Sequence, residues 1–250
     1  PDRAHVLRAD VTVPMIPTTI NGRWTLALPV HRAERAEWVT GWEREKLDSI
    51  HANLRADDVV YDVGAEEGDE SALYAQWAGH VVLFEPNEKV WPNVRAIFEA
   101  NGLGLPLACW SGFASNVDSN GDIEEGWPAA SYGPVIADHG FQSLVEREQS
   151  LPNIRIDTMA EQVGGPDAIM VDVEGAELRV LLGAVRVLTE HRPLVWVSLH
   201  PTMLGYDYQA NPEDVHAFMH AHGYRMQLLA QEHENQWFYW PRERDDVVLP

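Results

Sequence analysis

The stretch VVYDVGAEEGDES, Val59–Ser71, reads as a buried strand running into a glycine turn and then a helix. Its apolar, β-branched start is that of a strand covered on both faces. Gly64 and Gly68 allow tight turning and close backbone approach at a helix N-terminus. A dinucleotide fingerprint needs a glycine where this chain has Glu66, because backbone must approach a pyrophosphate there. A second carboxylate, Glu67, follows it. No Gly-Lys-Ser/Thr follows, which excludes a P-loop. The turn Asp62, Gly64, Ala65, Gly68 therefore suits a ligand without phosphate at this point. A compact zwitterion with a cationic centre fits, such as the methionine part of S-adenosylmethionine (SAM). Asp62 is placed to face its ammonium, directly or through water.

Working outward, the same punctuation recurs. The next apolar run, HVVLF, ends in Glu85-Pro86-Asn87, 21 residues after Gly64. An acidic residue at the tip of the second strand is placed to accept both hydroxyls of a ribose. A third run, AIMV, leads into Asp172-Val-Glu174-Gly175, and a fourth, PLVWVSL, into His200-Pro201. Asp172 and His200 are the candidates for a general base or a metal ligand. Asp172, Glu174 and His200 together could form an oxygen-rich Mg2+ site with one nitrogen. Glu177 reads as helix-start chemistry, since acids favour the positive end of a helix. Trp110, after the next strand, suits either an adenine cover or the core.

Helical segments fall between these runs: Ser71–Ala78, Glu88–Ala100 and Ala176–Leu188, the last with Leu178, Leu181, Leu182, Val185 and Leu188 on one face. Asn211-Pro212 reads as an N-cap and first helical residue, with Gly223 as the stop. YRMQLLA and QWFYWP read as two closing antiparallel strands, with Trp237, Tyr239 and Trp240 as sheet and core. Strand–helix alternation predicts an α/β, doubly wound, mostly parallel sheet whose ligands lie beyond the carboxyl ends of the strands. Residues 1–54 read as an extension, a hairpin around Asn21-Gly22 and then a helix over Ala33–Leu54 with Trp38 and Trp42 as packing. Residues 55–250 form the main domain. Its stretch at 111–150 reads as a long loop whose aromatics, Trp127, Tyr132, His139 and Phe141, suit either a sugar face or the loop's own packing.

Composition narrows the classes. The chain has 250 residues, 45% of them hydrophobic and 23% charged, enough for a substantial core. A net charge of −21 without a basic cluster argues against a nucleic-acid partner or an anionic membrane. The lone Cys109 excludes an internal disulfide. No apolar run reaches membrane-spanning length and no secretory leader is visible, so the expected location is cytoplasmic.

DVGAEEGDES, LFEPN and MVDVEGAELRVLLGA, in that order and with IRIDTMAE before the last, resemble the FkbM family of SAM-dependent methyltransferases. The resemblance covers about Asp58 to Pro241. It implies a seven-stranded sheet with helices on both sides and O-methylation of a hydroxyl on a sugar, glycan or secondary metabolite. It assigns Asp62, Gly64 and Gly68 to the SAM turn, Glu85 to the ribose, and Asp172 and Glu174 to the active site. Two departures stand out. Family members usually carry an uncharged pair at Glu66-Glu67, and many carry a lysine at Met170. The expected partner is a small-molecule or glycan acceptor, with a homo-oligomer left open. The rival readings are N-methylation, a non-catalytic SAM-binding module, and a nicotinamide dehydrogenase, which Glu66 disfavours.

Overall fold

The computed structural model describes residues 14–35, 38, 41–119, 121–124, 126–128, 151–231 and 234–249. Most of the expected long loop, with Tyr132, His139 and Phe141, lies outside the described residues.

Alternating buried side chains build one seven-stranded sheet. Its strands are β3 (Val59–Val63), β4 (His80–Phe84), β5 (Ala108–Trp110), β8 (Ala168–Val171), β9 (Leu194–Leu199), β10 (Tyr224–Gln231) and β11 (Asn235–Pro241). The order is β10-β11-β9-β8-β3-β4-β5. β5, β4, β3, β8 and β9 run parallel, and β11 and β10 close the edge antiparallel. Along each parallel strand, successive residues enter opposite cores. Val60, Leu83, Met170 and Trp196 face one; Tyr61, Val82, Ile169 and Val195 face the other. Burial on both faces is why these strands read as continuous apolar runs. Among the described residues, no helix is long and apolar enough to cross a membrane.

The hairpin β1 (Met15–Ile20) and β2 (Trp24–Pro29) packs on the first core through Ile20, Leu26 and Leu28, and β6 (Phe113–Ala114) and β7 (Asn153–Ile154) form a small parallel pair. The Asn101 side chain completes the joint, donating to Ala27 O at 2.9 Å and accepting from Ala27 N at 2.8 Å. In place of one helix over Ala33–Leu54 there is a short α1 (Val30–Ala33) and a separate α2 (Arg44–Asn53). The next helices are α3 (Asp69–Ala78), α4 (Trp91–Ala100) and α5 (Ile156–Val163). Pro92 sits in the first turn of α4, where its missing N–H costs nothing.

The expected helix Ala176–Leu188 is also divided. α6 (Glu177–Leu182) stops at Gly183, whose Cβ, if present, would lie 2.0 Å from Ser115 O. The Asp157 carboxylate then accepts from Arg186 N and Val187 N, at 3.1 and 2.9 Å, and a π-helical turn follows at Val187–His191. Leu181 and Leu188 are buried, whereas Leu182 and Val185 are exposed, so the expected single apolar face is broken at that turn. The last helices are α7 (Pro201–Tyr208) and α8 (Pro212–Ala221). A capping box at the start of α8 joins Asn211 and Asp214 reciprocally.

Candidate functional site

Five parallel strands end at one rim, and a cavity of about 310 Å³ opens there. That is within the range of ordinary small-ligand sites. The turn after β3 is held from both sides. Gly64 N and Ala65 N both donate to Phe84 O, at 3.0 and 3.1 Å. Glu85 follows β4 and grips the turn with one oxygen, accepting from Glu66 N at 3.0 Å; its other oxygen accepts from Asn87 N at 2.7 Å.

Gly64 adopts φ +101°, and an added Cβ would lie 1.8 Å from Asp172 O. The glycine thus lets the ends of β3 and β8 touch. Gly64→Ala combines backbone strain with a clash against backbone, and is expected to destabilise the fold by about 3 kcal/mol or more. A denaturation midpoint close to wild type would contradict this. Gly68, at φ +87°, does not line the cavity. It caps α3, and an added Cβ there would lie 2.8 Å from Val94 on α4.

The carboxylate pair in the turn is answered from outside it. Glu66 holds a left-handed φ of +45°. Its carboxylate accepts from Arg32 of α1, at 3.2 and 3.4 Å. The same buried guanidinium donates to Asp69 Oδ2, at 2.5 and 3.1 Å, and lies 3.8 Å from Glu67. Glu67 is buried and takes Asn93 Nδ2 at 2.7 Å and His31 Nε2 at 2.5 Å. Glu66 and Glu67 therefore fasten α1 to the turn.

Asp62 is buried and accepts from Ser71 Oγ at 2.5 Å. Burial pushes its carboxyl up to about 7, with the Ser71 hydroxyl opposing the shift. Asp172 leaves the end of β8, and its N–H donates to Val63 O at 2.9 Å. Its Oδ2 lies 3.8 Å from the ammonium of Lys46, a buried lysine of α2 that also meets Glu43, Glu70 (3.3 Å) and Ser198 Oγ (3.4 Å). Burial raises the Asp172 carboxyl to about 8, and Lys46 pulls against that rise. Met170 lines the cavity at the position of the family's frequent lysine, and the ammonium beside Asp172 belongs to Lys46.

His200 lies behind this wall. Its Nδ1 is 2.7 Å from Glu177 Oε1 and its Nε2 is 2.9 Å from Glu234 Oε2. Burial alone would lower its pKa, but the surrounding carboxylates prevail and raise it to about 11. The ring is thus an imidazolium at neutral pH, with no lone pair to act as base. Glu177 does more than start a helix: the same oxygen accepts from Gly175 N at 2.9 Å and holds the ring.

The trio expected as metal ligands also changes. Donor atoms of Asp172, His200 and Glu234 lie within 4.8 Å of one another. Glu174 is more than half exposed, 3.6 Å from His200 Nε2 and at a left-handed φ of +54°.

Of the residues singled out in the sequence, Asp62, Gly64, Ala65, Glu85, Pro86, Asp172 and Glu174 line the cavity. Trp110 does not. It is buried in the second core with Nε1 donating to Phe113 O at 3.2 Å, and Gly112-Phe113-Ala114 form the wall there. The sequence reading missed Arg32, Arg35, Lys46 and Glu234, and took Trp42, also a wall residue, as packing. Arg32 meets Asp69, Lys46 meets Asp172 and Glu234 meets His200 across tens of positions or more, so no local spacing marks these pairings.

Comparison with known proteins is consistent with this frame. Residues 62–226 match the family described as the methyltransferase FkbM domain. The hexuronic acid methyltransferase AglP of Haloferax volcanii is 31% identical over 149 residues, and the match spans 58% of this chain and 58% of that relative. Among solved structures, methyltransferase FkbM from Methylobacillus flagellatus KT is 16% identical with a TM-score of 0.49, covering 74% of this chain and 44% of that one. M. jannaschii TYW2, in complex with AdoMet, is 11% identical with a TM-score of 0.45, covering 90% and 84%. With the matched segment taking in most of the chain and carrying all three strand-end motifs, the chain belongs to the FkbM methyltransferase family.

Proposed function

We propose that this methyltransferase moves the methyl group of SAM to a hydroxyl of a sugar or glycan. The observation that supports it is the arrival of Asp62, Glu85 and Asp172, from three neighbouring parallel strands, at one cavity. SAM brings an already activated methyl group to this site. Glu85 would receive the ribose hydroxyls, and Asp62 the methionine ammonium.

Methyl transfer is an in-line displacement, so alignment carries much of the rate. An alcohol also needs a base within hydrogen-bond reach. Asp172 fits that role, with a carboxyl near 8 that is partly ionised around neutral pH. His200 holds the wall as a cation. Magnesium fits poorly. It favours oxygen ligands in a near-octahedral set. Here it would meet a nitrogen donor, His200, and the Lys46 ammonium.

The Haloferax volcanii relative acts on a hexuronic acid, which favours a uronate-containing acceptor. Incubating uronate-bearing oligosaccharides with isotopically labelled SAM, followed by mass spectrometry, tests this. A labelled O-methyl on the sugar is the expected product. Label on nitrogen, or binding of SAM with no turnover across acceptors, would overturn the O-transfer reading.

The Asp62 carboxyl makes cofactor binding pH-dependent. Glu70 and Asp69 add to the upward push of burial, while Ser71 and Lys46 oppose it. Below about 7 the free protein holds this group protonated, yet the cofactor's ammonium favours the carboxylate. Binding then releases a proton, so affinity rises with pH below that value, by up to about tenfold per unit, and levels off above it. Calorimetric titration with S-adenosylhomocysteine (SAH) checks the slope, and Asp62→Asn is expected to flatten it.

A further inference from the structure

We propose that Lys46 is a positioning residue for methyl transfer: from α2, its buried ammonium steers the Asp172 carboxylate and keeps it in the form that takes the acceptor's proton. The inference rests on the reading of Asp172 as the base and deepens it. In the step itself the acceptor oxygen bonds the methyl carbon as the carbon–sulfur bond breaks, and the hydroxyl proton passes to Asp172. The sulfonium ends as a neutral thioether and the carboxylate as a carboxylic acid. Burial among other acids favours a proton on a carboxyl beforehand, and a protonated acid cannot serve as base.

Asp172 stands in such company. Glu70 of α3, Glu234 just before β11 and Glu43 just before α2 act on it as like charges. Glu174, from its own turn, lies 3.6 Å from the same His200 nitrogen. Two cations oppose them. His200 Nε2 lies 3.7 Å from Asp172 Oδ1, but Glu234 sits 2.9 Å from that nitrogen and brings a carboxylate with it. Lys46 Nζ lies 3.8 Å from Oδ2 and is the stronger of the two influences.

Lys46 serves Glu43 and Glu70 as well, and its place is fixed by the fold. Trp196 Nε1 donates to Ser49 Oγ at 3.0 Å, and Lys46 Nζ donates to Ser198 Oγ at 3.4 Å. Two residues about one turn apart on α2 thus meet two residues on one face of β9. The helix is clamped to the strand, so the ammonium stands beside Asp172 before an acceptor arrives. Burial alone would lower the pKa of Lys46, but Glu43, Glu70, Asp172 and Glu234 prevail and hold it well above the ordinary value. The charge therefore persists across the working pH range.

The pH dependence of single-turnover rates, at saturating SAM and a confirmed acceptor, tests the assignment. For wild type the rate should rise through about 8. Loss of an opposite charge this close raises a carboxyl by about one pH unit or more, so Lys46→Met should rise through about 9 or above. At pH 7 its rate should then fall about tenfold or more, and the two profiles should converge once the base is ionised. Lys46→Arg keeps the charge and should stay near the wild-type midpoint. Lys46→Met leaves Glu43 buried without its cation, which can cost the fold. The double variant Glu43→Gln/Lys46→Met removes both charges and is read in the same way. An unmoved midpoint overturns the proposal. So does an equal loss at every pH, which would make Lys46 a support of the wall, or a Lys46→Arg midpoint as high as that of Lys46→Met. Asp172→Asn, measured in parallel, separates the two readings: a rate near wild type there sinks the base assignment itself, whereas a large loss there with an unmoved Lys46→Met midpoint sinks this inference alone.

Discussion

Asp172→Asn is expected to lower kcat by about 10²–10⁴-fold, the usual contribution of a positioned general base. The substitution keeps the shape of the side chain and removes its ability to take the acceptor's proton. Affinity for SAH should change little, since in our proposal Glu85 and Asp62 receive the cofactor's ribose and ammonium. The wild-type rate should rise with pH as Asp172 ionises through about 8. His200 cannot stand in for the missing base. Its two nitrogens face Glu177 and Glu234, and those carboxylates keep it protonated up to about 11. Single-turnover rates with a confirmed acceptor check the prediction, and an Asp172→Asn rate near wild type would remove Asp172 from the chemistry.

The second large effect is on binding. Glu85→Ala removes the group proposed to accept two ribose hydroxyls, each bond to a charged acceptor contributing about 1.5–3 kcal/mol. It also orphans Glu66 N and Asn87 N, which the carboxylate now satisfies. The turn after β3 then loses its tie to the end of β4. Together these changes predict a loss of SAH affinity of at least about 10²-fold, at 1.4 kcal/mol per decade. Because 5′-methylthioadenosine keeps the ribose, it should weaken to the same degree. Equal affinities for wild type and Glu85→Ala would contradict the placement of the ribose.

What local sequence could reveal was set by how local each cause is. Val59–Val63, His80–Phe84, Ala168–Val171 and Leu194–Leu199 are legible as strands because burial on both faces leaves them almost wholly apolar. Asp62, Glu85 and Asp172 are legible because strand ends in such a sheet face a common rim. The interruption of the helix after Glu177 was hidden, because it depends on Ser115 and Asp157 packing against Gly183 and the residues after it. Trp110 was ambiguous, and its indole is settled among core residues by a bond to Phe113 O. The acid pair was the hardest to read. Nothing near Glu66 and Glu67 in sequence explains them, because their partners, Arg32 and His31, lie more than 30 residues earlier. The same holds for the cluster around Asp172, which draws Lys46 from α2 and Glu234 from the segment just before β11.

α1 and α2 are therefore part of the site. Lys46 reaches Asp172, and Arg32 ties α1 to the turn after β3, although both lie before the segment that defines the family. A protein trimmed to residues 62–226 would keep the glycine turn and lose every cation noted beside it.

A crystal structure of the protein with SAH bound tests the central claim most directly. Our reading predicts the ribose hydroxyls on Glu85, the amino-acid end beside the Gly64 turn, and the sulfur facing the Asp172 carboxylate across space for an acceptor. A nucleoside seated elsewhere, or a sulfur pointing away from Asp172, would contradict it.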